Sequence, residues 1–137
     1  MHPMSSISPN MQQCIDACLD CYRSCMETAM NHCLEMGGRH VDPDHFRLMT
    51  NCADICRTSA EFMMSASPMH AQVCAACAVV CDACAQSCEQ IGGMDDCAQA
   101  CRDCAQLCHQ MSGGGMDMGM GSQQQQQPGS WTGNLLG

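Results

Sequence analysis

The chain has no lysine. Its five basic residues are all arginine and stand against 14 acidic ones, for a formal net charge of -9. That balance argues against a nucleic-acid or anionic-membrane partner, both of which require a basic surface. Aromatic residues number one Trp, one Tyr and two Phe. Leu, Ile and Val are also scarce, which excludes an ordinary aliphatic core. No continuous apolar run approaches the roughly 20 residues of a membrane-spanning helix. The stretch from Met1 to Asn10 has neither a basic residue nor an apolar run, so it does not read as a secretory or twin-arginine signal. The expectation is a cytoplasmic, reducing location in which thiols stay free.

What the chain has instead is sulfur, with 16 cysteines and 15 methionines in 137 residues. Cys14, Cys18, Cys21 and Cys25 form one run, followed by Cys33. Cys74, Cys77, Cys81, Cys84 and Cys88 form a second, and Cys97, Cys101, Cys104 and Cys108 a third. A helix turns about 100° per residue, so alternating steps of three and four return to one face. Each run is a stripe of thiols along a helix. A further segment keeps the same register with mixed donors: His45, Met49, Cys52, Cys56, Ser59 and Met63.

Punctuation along the chain divides it into four helices. Ser8-Pro9, Asp42-Pro43 and Ser67-Pro68 each place a capping residue before a proline suited to the first turn. Gly37-Gly38 and Gly92-Gly93 suit helix C-termini. These signals predict a flexible start over 1–8, then helices over 9–36, 43–64, 68–91 and 94–111. Short connections make neighbours antiparallel, so the fold class is all-α, an up-down-up-down four-helix bundle over 9–111 with a cysteine-lined core. Residues 112–129, rich in Gly, Met and Gln, read as a linker, and 130–137 turn apolar again.

Several chemistries compete for such thiols. A disulfide scaffold fits poorly, because cysteines along one helix point the same way and not at one another. A closed zinc site uses four ligands and leaves most of the sixteen unexplained. No ferredoxin-type C-x₂-C-x₂-C-x₃-C-P run is present. Redox or peroxide-scavenging chemistry, with zinc binding the alternative reading, would need one activated thiolate, and no cysteine is singled out. Soft Cu(I), which accepts two or three thiolates and allows them to bridge, would use many. The reading is storage of multiple Cu(I) ions without catalysis.

The runs Cys14-x₃-Cys18-x₂-Cys21-x₃-Cys25 and Cys97-x₃-Cys101-x₂-Cys104-x₃-Cys108, on helices with short loops, resemble the bacterial copper storage proteins. The resemblance spans about 9–111 and implies a homo-oligomeric bundle, commonly a tetramer, whose core fills with Cu(I). The absence of a signal resembles the cytosolic branch of that family. The chain departs from the pattern in its second helix, with only Cys52 and Cys56 and with Ser59 in a thiol position.

Methionine more often fills a core than binds a metal. Position singles some out. In an antiparallel bundle Met4, Met11, Met63, Met64, Met69, His70, His109 and Met111 gather at one end. His32, Cys33, Met36, His45, Met49 and Met94 gather at the other. Thioethers bind Cu(I) more weakly than thiolates and suit a port, which favours uptake at the first end. Beyond the sixteen cysteines, the candidate ligands are His45, Met49, Met63, His70 and Met111. A second apolar stripe, Ile15, Leu19, Tyr22, Met26 and Met30, reads as bundle packing or an oligomer face.

The last residues, Trp131-Thr132-Gly133-Asn134-Leu135-Leu136-Gly137, resemble the C-terminal cargo-loading peptide of encapsulin cargo proteins, lacking an aliphatic residue between Thr132 and Gly133. That resemblance implies a shell partner that binds Trp131, Thr132, Gly133, Leu135 and Leu136, and a location inside an encapsulin compartment. The alternative is an unstructured terminus.

Overall fold

The computed structural model describes residues 7–113. Met4, and the readings of 114–137 with its terminal Trp131 to Gly137 motif, lie outside the described residues. Four long helices carry the fold: α1 (Pro9–Glu27), α2 (Pro43–Met64), α3 (His70–Ile91) and α4 (Asp95–Met111). Among the described residues there is no strand. α1 packs on α2 and α4, and α3 packs on the same two. The helices therefore stand at the corners of a square in chain order, the up-down-up-down bundle expected from the short connections.

The helix ends show how the sequence enforces this. Ser8 Oγ accepts from the Met11 amide at 3.1 Å, with Pro9 opening the first turn. At α2 the Asp42 side chain makes no capping bond; its carbonyl accepts from the Phe46 amide at 2.9 Å, and Pro43 starts the helix. Ser67-Pro68 differs from expectation. It forms a turn in which Ser67 Oγ accepts from the Met69 amide at 3.0 Å, and α3 begins only at His70. The preceding residue, Ala66, sits at φ 54°. The Ser67 amide donates to Phe62 O at 3.0 Å and the Ala66 amide to Met63 O at 2.9 Å. This is a left-handed C-terminal cap built on alanine in place of the usual glycine.

α1 does not run unbroken to Met36. A π-helical turn, Thr28–Cys33, follows it, and Leu34–Met36 resumes the α form. The cause is arithmetic. Cys25 and Cys33 are eight residues apart, and eight α-helical steps overshoot the stripe by about 80°, whereas seven would return to it. The π turn absorbs the extra residue. Ala29 and Cys33 thereby face the core, both fully buried. The Asn31 amide group donates to the Glu27 carbonyl at 3.0 Å across the start of this turn.

The interior is sulfur and alanine. All sixteen cysteines are buried and free. Ala53, Ala60, Ala78, Ala85, Ala98 and Ala105 sit beside them and let the helices approach closely. By length and hydropathy alone α3 could cross a membrane. Its Cys, Ala and Val supply that hydropathy, and its cysteine stripe faces the bundle interior.

Candidate metal centre

The four stripes converge on the bundle axis. Cys14, Cys74 and Cys108 form one group whose sulfurs all lie within 4.8 Å of one another. Cys18, Cys77, Cys104 and Cys108 form the next, then Cys21, Cys56, Cys81 and Cys104, then Cys21, Cys25, Cys52 and Cys101. Neighbouring groups share a member: Cys108, Cys104 and Cys21 in turn. The result is a continuous column. Its closest sulfur pairs include Cys56–Cys81 at 3.4 Å, Cys18–Cys104 at 3.5 Å and Cys25–Cys101 at 3.6 Å. Cys97 extends it at 3.7 Å from Cys25. A soft ion bound to sulfur at about 2.3 Å in trigonal geometry holds its donors about 4 Å apart. The column already has that spacing.

Electrostatics follow from the crowding. Cys18 is brought down to about 5, first because the Cys104 thiol donates to it at 3.5 Å and then through the neighbouring Cys108 and Cys14 thiols. Cys74 is pushed up to about 12, first by the neighbouring Cys108 thiol in the same group. A few thiols ionise easily and their neighbours then hold protons more tightly. A cation that enters replaces those protons.

A family model for copper storage protein matches residues 7–113. The chain belongs to the copper storage protein family. Three solved structures resemble this copper storage chain. The Nmul_A1745 protein from Nitrosospira multiformis is 59% identical, with 75% of this chain and 94% of that one covered and a TM-score of 0.74. The Cu(I)-bound copper storage protein BsCsp3 is 35% identical, covering 75% and 98%, with a TM-score of 0.70. Apo-Csp3 from Bacillus subtilis is 36% identical, covering 74% and 97%, with a TM-score of 0.67. The uncharacterized cysteine-rich protein YhjQ of Bacillus subtilis is 37% identical over 67 residues; the match spans 49% of this chain and 61% of that relative's length.

In this copper storage bundle the mixed-donor helix α2 also points its stripe inward. His45, Met49, Cys52, Cys56, Ser59 and Met63 are all buried. Ser59 Oγ lies 3.4 Å from Cys74 Sγ, where a thiol would complete the first group. The Cys84 and Cys88 thiols both donate to Met49 Sδ at 3.5 Å. Cys33 Sγ stands 3.8 Å from His45 Nε2 and donates to Met94 Sδ at 3.7 Å. The other ring nitrogen, His45 Nδ1, is 2.7 Å from Ser87 Oγ. Burial lowers the His45 pKa and raises that of Cys33.

The other candidates part company. At the Met-rich end Met63 is fully buried, whereas Met64 and Met69 are exposed and Met111 is half-buried. His70 Nδ1 is 2.9 Å from the Ser67 carbonyl, a local turn contact. His109 faces outward, 3.7 Å from Asp82. Sequence spacing does not single out two of the residues that meet around Cys33 and His45. Met94 was legible only as a member of its end of the bundle. Ser87 lies outside the thiol register and carries no signal in the sequence.

Proposed function

We propose that this chain stores multiple Cu(I) ions on the thiolates of its core. One observation carries the reading: four groups of buried thiols overlap through Cys21, Cys104 and Cys108, so ions can share ligands along the axis. The family and the Cu(I)-bound state of BsCsp3 support it. Each ion entering displaces thiol protons, which leaves the buried charge nearly unchanged and makes dense loading tolerable. The role is sequestration, without catalytic turnover. Anaerobic titration of the reduced protein with Cu(I) tests it. Many ions per chain are expected; saturation at one or two would favour a zinc site, a chaperone or a redox thiol instead.

The same reading places the protein in the cytoplasm as a homo-oligomer, in keeping with a tetramer, without nucleic-acid or membrane partners. Leu19 and Met30, 37% and 39% exposed on the apolar stripe of α1 and its π turn, are the surface for self-association. Light scattering of the full chain checks this. Residues 130–137 would dock in an encapsulin shell through Trp131, Thr132, Gly133, Leu135 and Leu136. Equal co-purification of full-length and 130–137-deleted chains with the shell would end that idea.

A further inference from the structure

Three donors of different chemistry meet at the end of the bundle that holds the π turn. Cys33 Sγ, His45 Nε2 and Met94 Sδ come from the π turn, the start of α2 and the residue before α4. They are 0%, 3% and 4% exposed. Cys33 lies 3.8 Å from the imidazole nitrogen and 3.7 Å from the thioether, the spacing found in the thiol column. With its proton on Nδ1, the ring donates to Ser87 Oγ at 2.7 Å and turns the Nε2 lone pair to Cys33. A hydrogen bond of this kind at the far ring nitrogen fixes the tautomer and orientation of a ligating histidine. The π turn is part of the device, since a plain α-helix would rotate Cys33 off this face.

We propose that Cys33, His45 and Met94, with Ser87 positioning the imidazole, form a discrete Cu(I) exchange site at the end of the thiol column. The inference rests on the storage reading and adds where copper crosses between solvent and store. The donor set offers one anionic sulfur, whereas an ion in the column finds three or four thiols. Neutral imidazole and thioether are the weaker partners for Cu(I), so the site accepts and releases faster than the store. Two surface clefts reach it. One, of about 510 Å³, is lined by His32, Asp95 and Asp96 and has Met94 and Cys97 in its wall. The other, of about 340 Å³, has His45 and Ser87 in its wall. Onward transfer has stepping stones in Cys97, 3.7 Å from Cys25, and in Met49 with its Cys84 and Cys88 contacts. This assigns exchange to the end opposite the one that the methionine count favours.

The test uses the full chain as wild type and as Met94→Leu, His45→Gln, His45→Met and Ser87→Ala. Each is loaded anaerobically with Cu(I) and then unloaded into an excess of a colorimetric Cu(I) chelator. Met94→Leu and His45→Gln should lose about one ion of capacity and slow unloading about tenfold, as expected when one of few ligands is removed. His45→Met, which restores a soft donor, should recover most of the rate. Ser87→Ala should slow exchange with capacity unchanged. Copper X-ray absorption of saturated wild type should show a nitrogen ligand that His45→Gln removes. A wild type that holds one or two ions overturns the storage reading itself. A wild type that holds many, with Met94→Leu and His45→Gln exchanging at its rate and the nitrogen ligand unaltered, overturns the exchange site alone.

Discussion

Helices α2 and α3 have the same length, 22 residues each, and present the same three-four register to the same axis. α3 fills it with five cysteines, whereas α2 spells it His45, Met49, Cys52, Cys56, Ser59, Met63. Both pack equally well, since every one of these side chains is buried. Packing therefore does not require a thiol at every one of these positions, and a full thiol stripe is not needed to make the helices meet. Their presence in α3 reflects chemistry, and their replacement in α2 grades the donors from soft in the middle to mixed at each end.

The comparison can be broken by removing its soft centre. Replacing Cys18, Cys21, Cys81 and Cys104 together with alanine takes a member or more from three of the four groups. Capacity should fall by at least roughly a quarter, and further where the lost thiols are shared, without reaching zero, because ligands are distributed. Circular dichroism should still report a helical bundle, with about 1 kcal/mol lost per truncation. A capacity equal to wild type would mean that the column is not the store.

It can be sharpened by making α2 resemble α3. Ser59→Cys should complete a four-thiol group with Cys14, Cys74 and Cys108, given the 3.4 Å approach of Ser59 to Cys74. Titration should show about one additional ion per chain, the yield expected of one new closed ligand set. No gain would show that this group is limited by access and not by its donor count.

Acid should release copper from the column. Cys74 is pushed up to about 12 by the neighbouring Cys108 thiol, so its proton stays on at neutral pH until copper displaces it. A raised thiol pKa makes binding weaker as pH falls, because each ion must expel a more firmly held proton. Competition with a chelator between pH 8 and 5.5 should show apparent affinity dropping by up to tenfold per unit of pH for each proton released. A pH-independent affinity would contradict binding as thiolate.

A smaller effect concerns the junction of the two helices. Ala66 holds φ 54°, where glycine carries no side-chain penalty. Ala66→Gly should stabilise the bundle by about 1 kcal/mol, read as a higher midpoint in thermal denaturation with copper capacity unchanged. The smallest change is expected from Leu at Met63, Met69 and Met111 together, which conserves volume and should alter loading rate less than twofold if exchange occurs at the π-turn end.

Much of this was legible in the sequence because a stripe of one residue type at helical spacing is hard to misread. The thiol runs and the buried register of α2 follow from periodicity, and the glycine stops from helix-end chemistry. Cys33 was legible as a ligand but not as a product of a π turn, because the run breaks after Cys25 and spacing alone cannot say how a helix absorbs an extra residue. Ser67-Pro68 reads like a helix start, yet the left-handed Ala66 before it turns the chain, and the first α3 turn waits for His70. The antiparallel order already gathers Cys33, His45 and Met94 at one end, but the contacts among them depend on the π turn and on Ser87, which no local pattern encodes.

The overlap of thiol groups through Cys21, Cys104 and Cys108 also imposes an order in time. Each group meets the next only through a shared thiol, so an ion handed along the axis visits the groups in a fixed sequence. When such a column is served from the π-turn end, the group of Cys14, Cys74 and Cys108 stands last in that sequence and becomes the deepest part of the store.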